Sequence, residues 1–199
     1  MAQSYIKRIL NAQVYDVARE TPLDAAPLLS ARLGNQAFLK REDLQPVFSF
    51  KCRGAYNKMV HLDEAARAGG VVAASAGNHA QGVALAASKL EINATIVMPV
   101  TTPVIKVEAV KALGAKVVMH GDSFEEAAVR ARALTESEGF TFIHPFDDPD
   151  VIAGQGTVAV ELVRQAQQPL NYVFVCCGGG GLLAGMAAYL RYVWPQTRI

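Results

Sequence analysis

Short apolar runs at residues 37–41, 71–74, 94–98, 116–119, 141–143 and 172–177 alternate with stretches of ten or more residues of helical composition. The runs are apolar at consecutive positions, as fits strands buried on both faces. Strand–helix alternation of this kind predicts an α/β fold, with mostly parallel sheets covered by helices. The helical stretches carry start signals. Thr102-Pro103 and Asp148-Pro149 each put a capping residue before a first-turn proline. Ser123 and Glu126 have the spacing of a capping box. In parallel sheets, ligands sit beyond the carboxyl ends of strands, where small-residue turns enter helices.

Two such turns stand out. In Val71-Val72-Ala73-Ala74-Ser75-Ala76-Gly77-Asn78-His79, a strand enters an alanine-rich helix through a polar turn. Helix-start N–H groups favour an anion, and one cap would not require Ser75, Gly77, Asn78 and His79 together. In Tyr172-Val173-Phe174-Val175-Cys176-Cys177-Gly178-Gly179-Gly180-Gly181-Leu182, four glycines separate a strand from a helix running to about Trp194. One glycine suffices for a turn; four let successive N–H groups form a phosphate nest. Gly179, Gly181 and Ala184 also fit the dinucleotide pattern, whose confirming acidic residue would lie about twenty positions on. That leaves a nucleotide-binding module as a competing reading. It gives no role to Lys51, which follows Val47-Phe48-Ser49-Phe50 and precedes Tyr56. An apolar wall lowers a lysine's pKa, and a neutral amine can form a Schiff base. A Schiff-base lysine and a phosphate nest together point to pyridoxal 5'-phosphate.

Composition removes other classes. Lys+Arg is 19 against Asp+Glu 18, which gives no reason to expect a nucleic acid or an anionic membrane as partner. No window approaches a membrane span, and Met1-Ala2-Gln3-Ser4-Tyr5-Ile6-Lys7 lacks a secretory apolar core. Three cysteines, two of them adjacent, make neither a disulfide framework nor a zinc site; no metal is expected, and a reducing, cytoplasmic location is.

Four segments in order carry a family resemblance. Lys40-Arg41-Glu42-Asp43-Leu44-Gln45-Pro46-Val47-Phe48-Ser49-Phe50-Lys51-Cys52-Arg53-Gly54-Ala55 resembles the lysine segment of the biosynthetic threonine dehydratase branch of the fold-type II pyridoxal-phosphate enzymes. Ala74-Ser75-Ala76-Gly77-Asn78-His79-Ala80-Gln81-Gly82 is similar to that family's asparagine loop. Ile152-Ala153-Gly154-Gln155-Gly156-Thr157 and Gly178-Gly179-Gly180-Gly181-Leu182 match as well. The Gln45-Pro46-Val47 lead-in separates it from catabolic dehydratases and serine racemases, which remain the nearer alternatives.

The resemblance implies a tryptophan-synthase-β-like fold of two domains. Residues 1–51 and 148–199 would belong to a larger, incomplete domain, and 52–147 would form a smaller one. It implies dehydration and deamination of L-threonine, with L-serine secondary, to 2-oxobutanoate and ammonia, in isoleucine and so branched-chain amino-acid biosynthesis. Lys51 would carry the cofactor and remove the α-proton. Phe50 would pack beside the cofactor, Asn78 would bond its phenolic oxygen, and Gly178, Gly179, Gly180, Gly181 and Leu182 would hold its phosphate. Ser75, Gly77 and His79 would receive the substrate carboxylate, and Gln155 would face the site. Cys52 is expected as a small buried hydrophobe, and Cys177 carries no assigned chemistry. Thr197-Arg198-Ile199 reads as the start of another strand. Family members continue beyond it, with the contact to the pyridine nitrogen and an isoleucine-sensing region. Full-length members are homo-oligomers, expected as tetramers. The chain alone is expected to expose sheet surface and bind cofactor poorly, and an inactive fragment is a further reading.

Overall fold

The computed structural model describes residues 2–199; Met1 lies outside the described residues. In chain order it forms α1 (Ala2–Leu10), β1 (Leu23–Ala25), α2 (Pro27–Leu33), β2 (Phe38–Lys40), a 3₁₀ turn (Glu42–Leu44), α3 (Lys51–Val60), α4 (Glu64–Gly69), β3 (Val71–Ala74), α5 (Asn78–Leu90), β4 (Ala94–Met98), α6 (Val104–Ala112), β5 (Lys116–Met119), α7 (Phe124–Glu138), β6 (Thr141–Phe142), α8 (Pro149–Gln165) and α9 (Gly181–Val193).

Four strands form one parallel sheet in the order β5-β4-β3-β6. Val71 pairs with Ala94 and Thr141, and Thr95 pairs with Lys116. Consecutive apolar residues serve opposite faces. Val71, Ala73, Ile96 and Met98 pack on Cys52, Ala55 and Met59 of α3, Ala80, Val83 and Ala84 of α5, and Val110 of α6. Val72, Ala74 and Val97 pack on Ala127, Ala131 and Leu134 of α7. A strand buried on both faces cannot alternate with polar residues, which explains the pattern read above. A third cluster joins α8 and α9 through Val158, Leu162, Met186, Leu190 and Trp194.

Two expectations fail at the strands. Residues 37–41 do not join the parallel sheet: β2 pairs antiparallel with β1, Leu23 opposite Lys40. Residues 172–177 form no strand. Tyr172 makes a single parallel bridge to Arg198, with Val173 N donating to Arg198 O at 2.8 Å. A strand exists only as part of a ladder, and here one face of the run is open, with Phe174 94% exposed, while Val173 and Val175 pack against the α8–α9 cluster.

Of the three capping signals, one holds whole, one in part and one fails. Asp148 accepts from Asp150 N and Val151 N at the start of α8. Ser123 accepts from Glu126 N, but Glu126 Oε2 reaches Asp122 N at 2.6 Å, one residue before the cap. Thr102 is not a cap. Pro103 itself takes the extended conformation (ψ 138°), α6 begins at Val104, and Thr102 Oγ1 is buried without a partner.

A buried ion network fastens α3 to α8 and to the 3₁₀ turn. Arg53, fully buried, donates to Glu161 Oε1 at 2.6 Å and Oε2 at 3.0 Å, and to Glu42 Oε1 and Oε2 at 2.8 Å each. It also reaches Thr157 Oγ1 and the Arg19 carbonyl at 3.1 Å. Lys40 and Tyr15 bond the same Glu161 carboxylate at 2.6 and 2.9 Å. Burial alone would raise the Glu161 pKa, but Arg53 and Lys40 outweigh it and hold the carboxyl below its ordinary 4.5. The ionised form is thus favoured by folding. Its contribution to stability is complete above about pH 4.5 and is lost as pH falls through the lower folded value.

Candidate active site

The carboxyl end of β3 turns at Ser75–Gly77 into α5, and β6 leads through His144-Pro145-Phe146 toward α8. These loops meet the first turn of α3 and the glycine loop before α9. Between them lies a cavity of about 250 Å³. Its walls are Ser49, Phe50, Lys51, Asn78, Pro145, Phe146, Gln155, Cys176, Gly178, Gly179, Gly180, Gly181 and Leu182. Lys51 is the only charged residue among them. A larger groove of about 440 Å³, along Ile6, Leu10 and Tyr192 on α1 and α9, gathers no comparable set of reactive and polar groups.

Lys51 opens α3 and is half-buried. Its Nζ donates to the Pro145 carbonyl at 2.6 Å and lies 5.6 Å from the centre of the Phe50 ring. Burial lowers its pKa from the ordinary 10.5. The apolar wall is not the one the flanking sequence implied. Phe48 is 77% exposed with a positive φ of 55°, and Tyr56 is buried in the sheet core on α3. Phe50 alone of the flanking aromatics lies beside the amine; Phe146 and Leu182, from other elements, complete the wall.

The root of Lys51 is held by close helix contact. A Cβ placed on Gly82 of α5 would lie 2.9 Å from the carbonyl carbon and oxygen of Lys51. A Cβ on Gly154 of α8 would lie 2.7 Å from the Arg53 carbonyl oxygen. Both approaches are to backbone, which cannot swing aside. Gly82→Ala is therefore expected to cost about 1–3 kcal/mol of stability by overpacking. It should also weaken cofactor binding, and unfolding together with cofactor titration checks both effects.

The glycine loop has two sides. Gly180 takes φ +87° as the residue preceding α9, a conformation L side chains rarely adopt. Around Gly178 and Gly180 there is open space for a ligand. Gly179 and Gly181 serve packing instead: side chains there would collide with Phe146, at Gly181 with its carbonyl oxygen at 2.7 Å. The first N–H groups of α9 have no intrahelical acceptor and lie at the positive end of its dipole.

The second turn contributes unevenly. Asn78 lines the cavity, but Ser75, Gly77 and His79 do not. Ser75 Oγ accepts from Gly77 N at 3.2 Å. His79 is buried, its Nε2–H donates to the Ile143 carbonyl at 2.9 Å, and burial pushes its pKa down to about 3. Its ring is therefore neutral and committed, leaving the backbone N–H for a ligand. Gln155 does reach the cavity: it is 1% exposed, and its Oε1 has no hydrogen-bond partner. Cys52 is fully buried, and burial pushes its thiol pKa up to about 12, as suits a packing residue. Ser49, Pro145 and Phe146 went unassigned in the sequence. Pro145 and Phe146 lie two and three residues beyond the apolar run 141–143, the position where parallel sheets place ligands.

These features fit pyridoxal phosphate. A half-buried amine, a helix N-terminus with open glycine positions and an orphaned buried oxygen share one cavity. A family model described as pyridoxal-phosphate dependent enzyme matches residues 14–199. The chain belongs to the pyridoxal-phosphate dependent enzyme family. Among curated relatives, the chloroplastic biosynthetic threonine dehydratase of Arabidopsis thaliana is 60% identical over 198 residues, all of this chain and 33% of that protein. The biosynthetic L-threonine dehydratases of Burkholderia multivorans and Escherichia coli are 56% and 50% identical, over 100% and 98% of this chain and 40% and 38% of theirs. Among solved structures, the processed form of threonine deaminase isoform 2 from Solanum lycopersicum superposes with a TM-score of 0.95 at 52% identity, covering 98% of this chain and 57% of that one. Maize serine racemase gives 0.93 at 36% identity, over 98% and 59%. The chain thus spans about a third to two fifths of the length of these curated relatives. No helix among the described residues is long and apolar enough to cross a membrane.

Proposed function

We propose that this chain forms the cofactor-bearing part of a threonine ammonia-lyase, which converts L-threonine to 2-oxobutanoate and ammonia and turns over L-serine more slowly. The observation that carries the substrate is the 60% identity, over the whole chain, to a threonine dehydratase. Pyridoxal phosphate, when bound, supplies an aldehyde that joins amines and a ring that accepts electrons from a cleaved Cα–H bond. The chain's own residues do the rest. Lys51 Nζ is held half-buried, where its lowered pKa suits it to take the substrate α-proton. The N–H groups at Gly178–Leu182 would hold the phosphate, and Asn78 would hold the ring through the phenolic oxygen. Phe50, Phe146 and Leu182 exclude water. Ser75, Gly77 and the His79 backbone flank Asn78 just outside the cavity lining and would receive the carboxylate there, and Gln155 Oε1 would accept a hydrogen bond from the substrate. The β-hydroxyl leaves as water with a proton matching the one Lys51 takes from Cα, and hydrolysis consumes one water in releasing the ammonia, so no net water is formed.

The same reading divides the chain at residues 52 and 147 into a small domain flanked by two parts of a larger one. It places the reaction in isoleucine biosynthesis, in a homo-oligomeric enzyme with neither nucleic acid nor membrane as partner. It assigns a cytoplasmic location, whereas the plant relatives are named chloroplastic and a yeast relative mitochondrial. The likeness to maize serine racemase supports racemisation as a second reading. Assay of the full-length protein separates the two. Threonine consumption matched by 2-oxobutanoate and ammonia, faster than serine turnover and without D-serine, is expected. D-serine formation outpacing threonine loss would overturn the lyase reading.

A further inference from the structure

The turn after β6 joins the two halves of the site. Pro145 presents the carbonyl that holds Lys51 Nζ at 2.6 Å. Phe146 fills the space that glycines 179 and 181 leave beside the loop. What shapes this turn is His144. Its Nδ1 accepts from Asp147 N at 2.7 Å and from Phe146 N at 3.3 Å. An atom accepting two N–H groups carries no proton, so the neutral ring holds its proton on Nε2. The ring is also wedged edge-on, 4.7 Å between centres from Phe146 and 6.0 Å from Phe142. One side chain thus sets the backbone of the turn and the place of its aromatic residue.

We propose that His144 is a positioning residue for the cofactor site: its bare Nδ1 fixes the turn that aims the Pro145 carbonyl at Lys51 and props Phe146 against the glycine loop. This rests on the cavity being the pyridoxal-phosphate site. An asparagine could make the same backbone contacts, because its side-chain oxygen accepts from N–H groups two and three residues on. Histidine adds sensitivity to acid. A protonated Nδ1 is a donor and faces two donors. The charged and titratable groups around it are Lys51 on α3, His79 on α5, Arg132 on α7, and Asp147 and Asp148 between β6 and α8. Burial is the main cause holding the His144 pKa below its ordinary 6.5. The turn is therefore intact above pH 6.5 and loosens as pH falls through the lower folded value.

The test is titration of the full-length apo-protein with pyridoxal phosphate, followed by absorbance, for wild type, His144→Ala and His144→Asn. The alanine variant should bind about tenfold more weakly, and the asparagine variant within about twofold of wild type. As pH falls below 6.5 and through the lowered folded value of His144, wild-type affinity should fall more steeply than that of His144→Asn; effects of Lys51 protonation are common to both. Wild-type affinity in His144→Ala, no rescue by asparagine, or parallel pH profiles would each overturn the proposal. Failure of the wild-type protein to take up pyridoxal phosphate would overturn the site assignment itself.

Discussion

Replacing Lys51 with alanine in the full-length protein is expected to lower threonine deamination by about 10³-fold or more. On the proposed function the substitution removes two roles at once, the amine that would bond the cofactor aldehyde and the base that would take the α-proton. No other amine lines the cavity to substitute for it. The phosphate loop, α9 and Asn78 remain, so pyridoxal phosphate should still bind, more weakly and without covalent attachment. Stability should change little, because the Lys51 side chain makes one hydrogen bond, to the Pro145 carbonyl, and the residue is only half-buried. Kinetic assay, with mass spectrometry of borohydride-reduced protein, reads both parts. Deamination retained in the alanine variant, or a reduced adduct on another lysine, would remove Lys51 from the chemistry.

Replacing Arg53 with alanine should act in the opposite way, through stability first. Burial disfavours the guanidinium charge, but Glu42 and Glu161 more than offset this and hold its pKa above the ordinary value. With Arg53 gone, Lys40 remains as a cationic partner for Glu161, and the Glu42 carboxylate, largely buried, loses its ion pair. Breaking a buried pair from one side costs about 3–5 kcal/mol, because the charge left behind is uncompensated. Arg53→Lys should fall between, since an ammonium cannot supply the planar fork that meets both carboxylates. Urea unfolding of the wild type and the two variants measures this. A loss below about 1 kcal/mol for the alanine variant would mean the network contributes only what an exposed ion pair does. Arg53 lies two residues from Lys51 on α3, so cofactor affinity should decline with stability.

The parallel sheet was legible because burial on both faces writes itself into composition. The runs at 71–74 and 94–98 match β3 and β4, buried at every position, and the run at 116–119 matches β5, an edge strand exposed at Lys116 and Met119. Strand β1 was not legible: Leu-Asp-Ala is too short to show a period, and its pairing with β2 is decided by tertiary contact. Residues 172–177 were legible as apolar, but pairing depends on a neighbour that sequence composition does not encode. The cavity lining was readable at Lys51, Asn78 and the glycine loop, where a reactive amine, a polar turn and successive glycines each leave a local pattern. The ion network was not. Arg53, Glu161, Glu42 and Lys40 are dispersed along the chain, and charged residues read one at a time look like solvated surface. The division of labour in the glycine loop was also hidden, because only the fold brings Phe146 beside it.

The close approach of Gly82 to the carbonyl of Lys51 makes the lysine a lever with a fixed pivot. Its Cα cannot shift without moving two packed helices, whereas its side-chain torsions are held at the tip by one hydrogen bond to Pro145. Travel of the amine between a resting carbonyl and a substrate is then a matter of rotamers, with the barrier of single-bond rotation rather than of helix repacking. The reactive nitrogen can swing through rotamers while helix contact fixes the backbone beneath it.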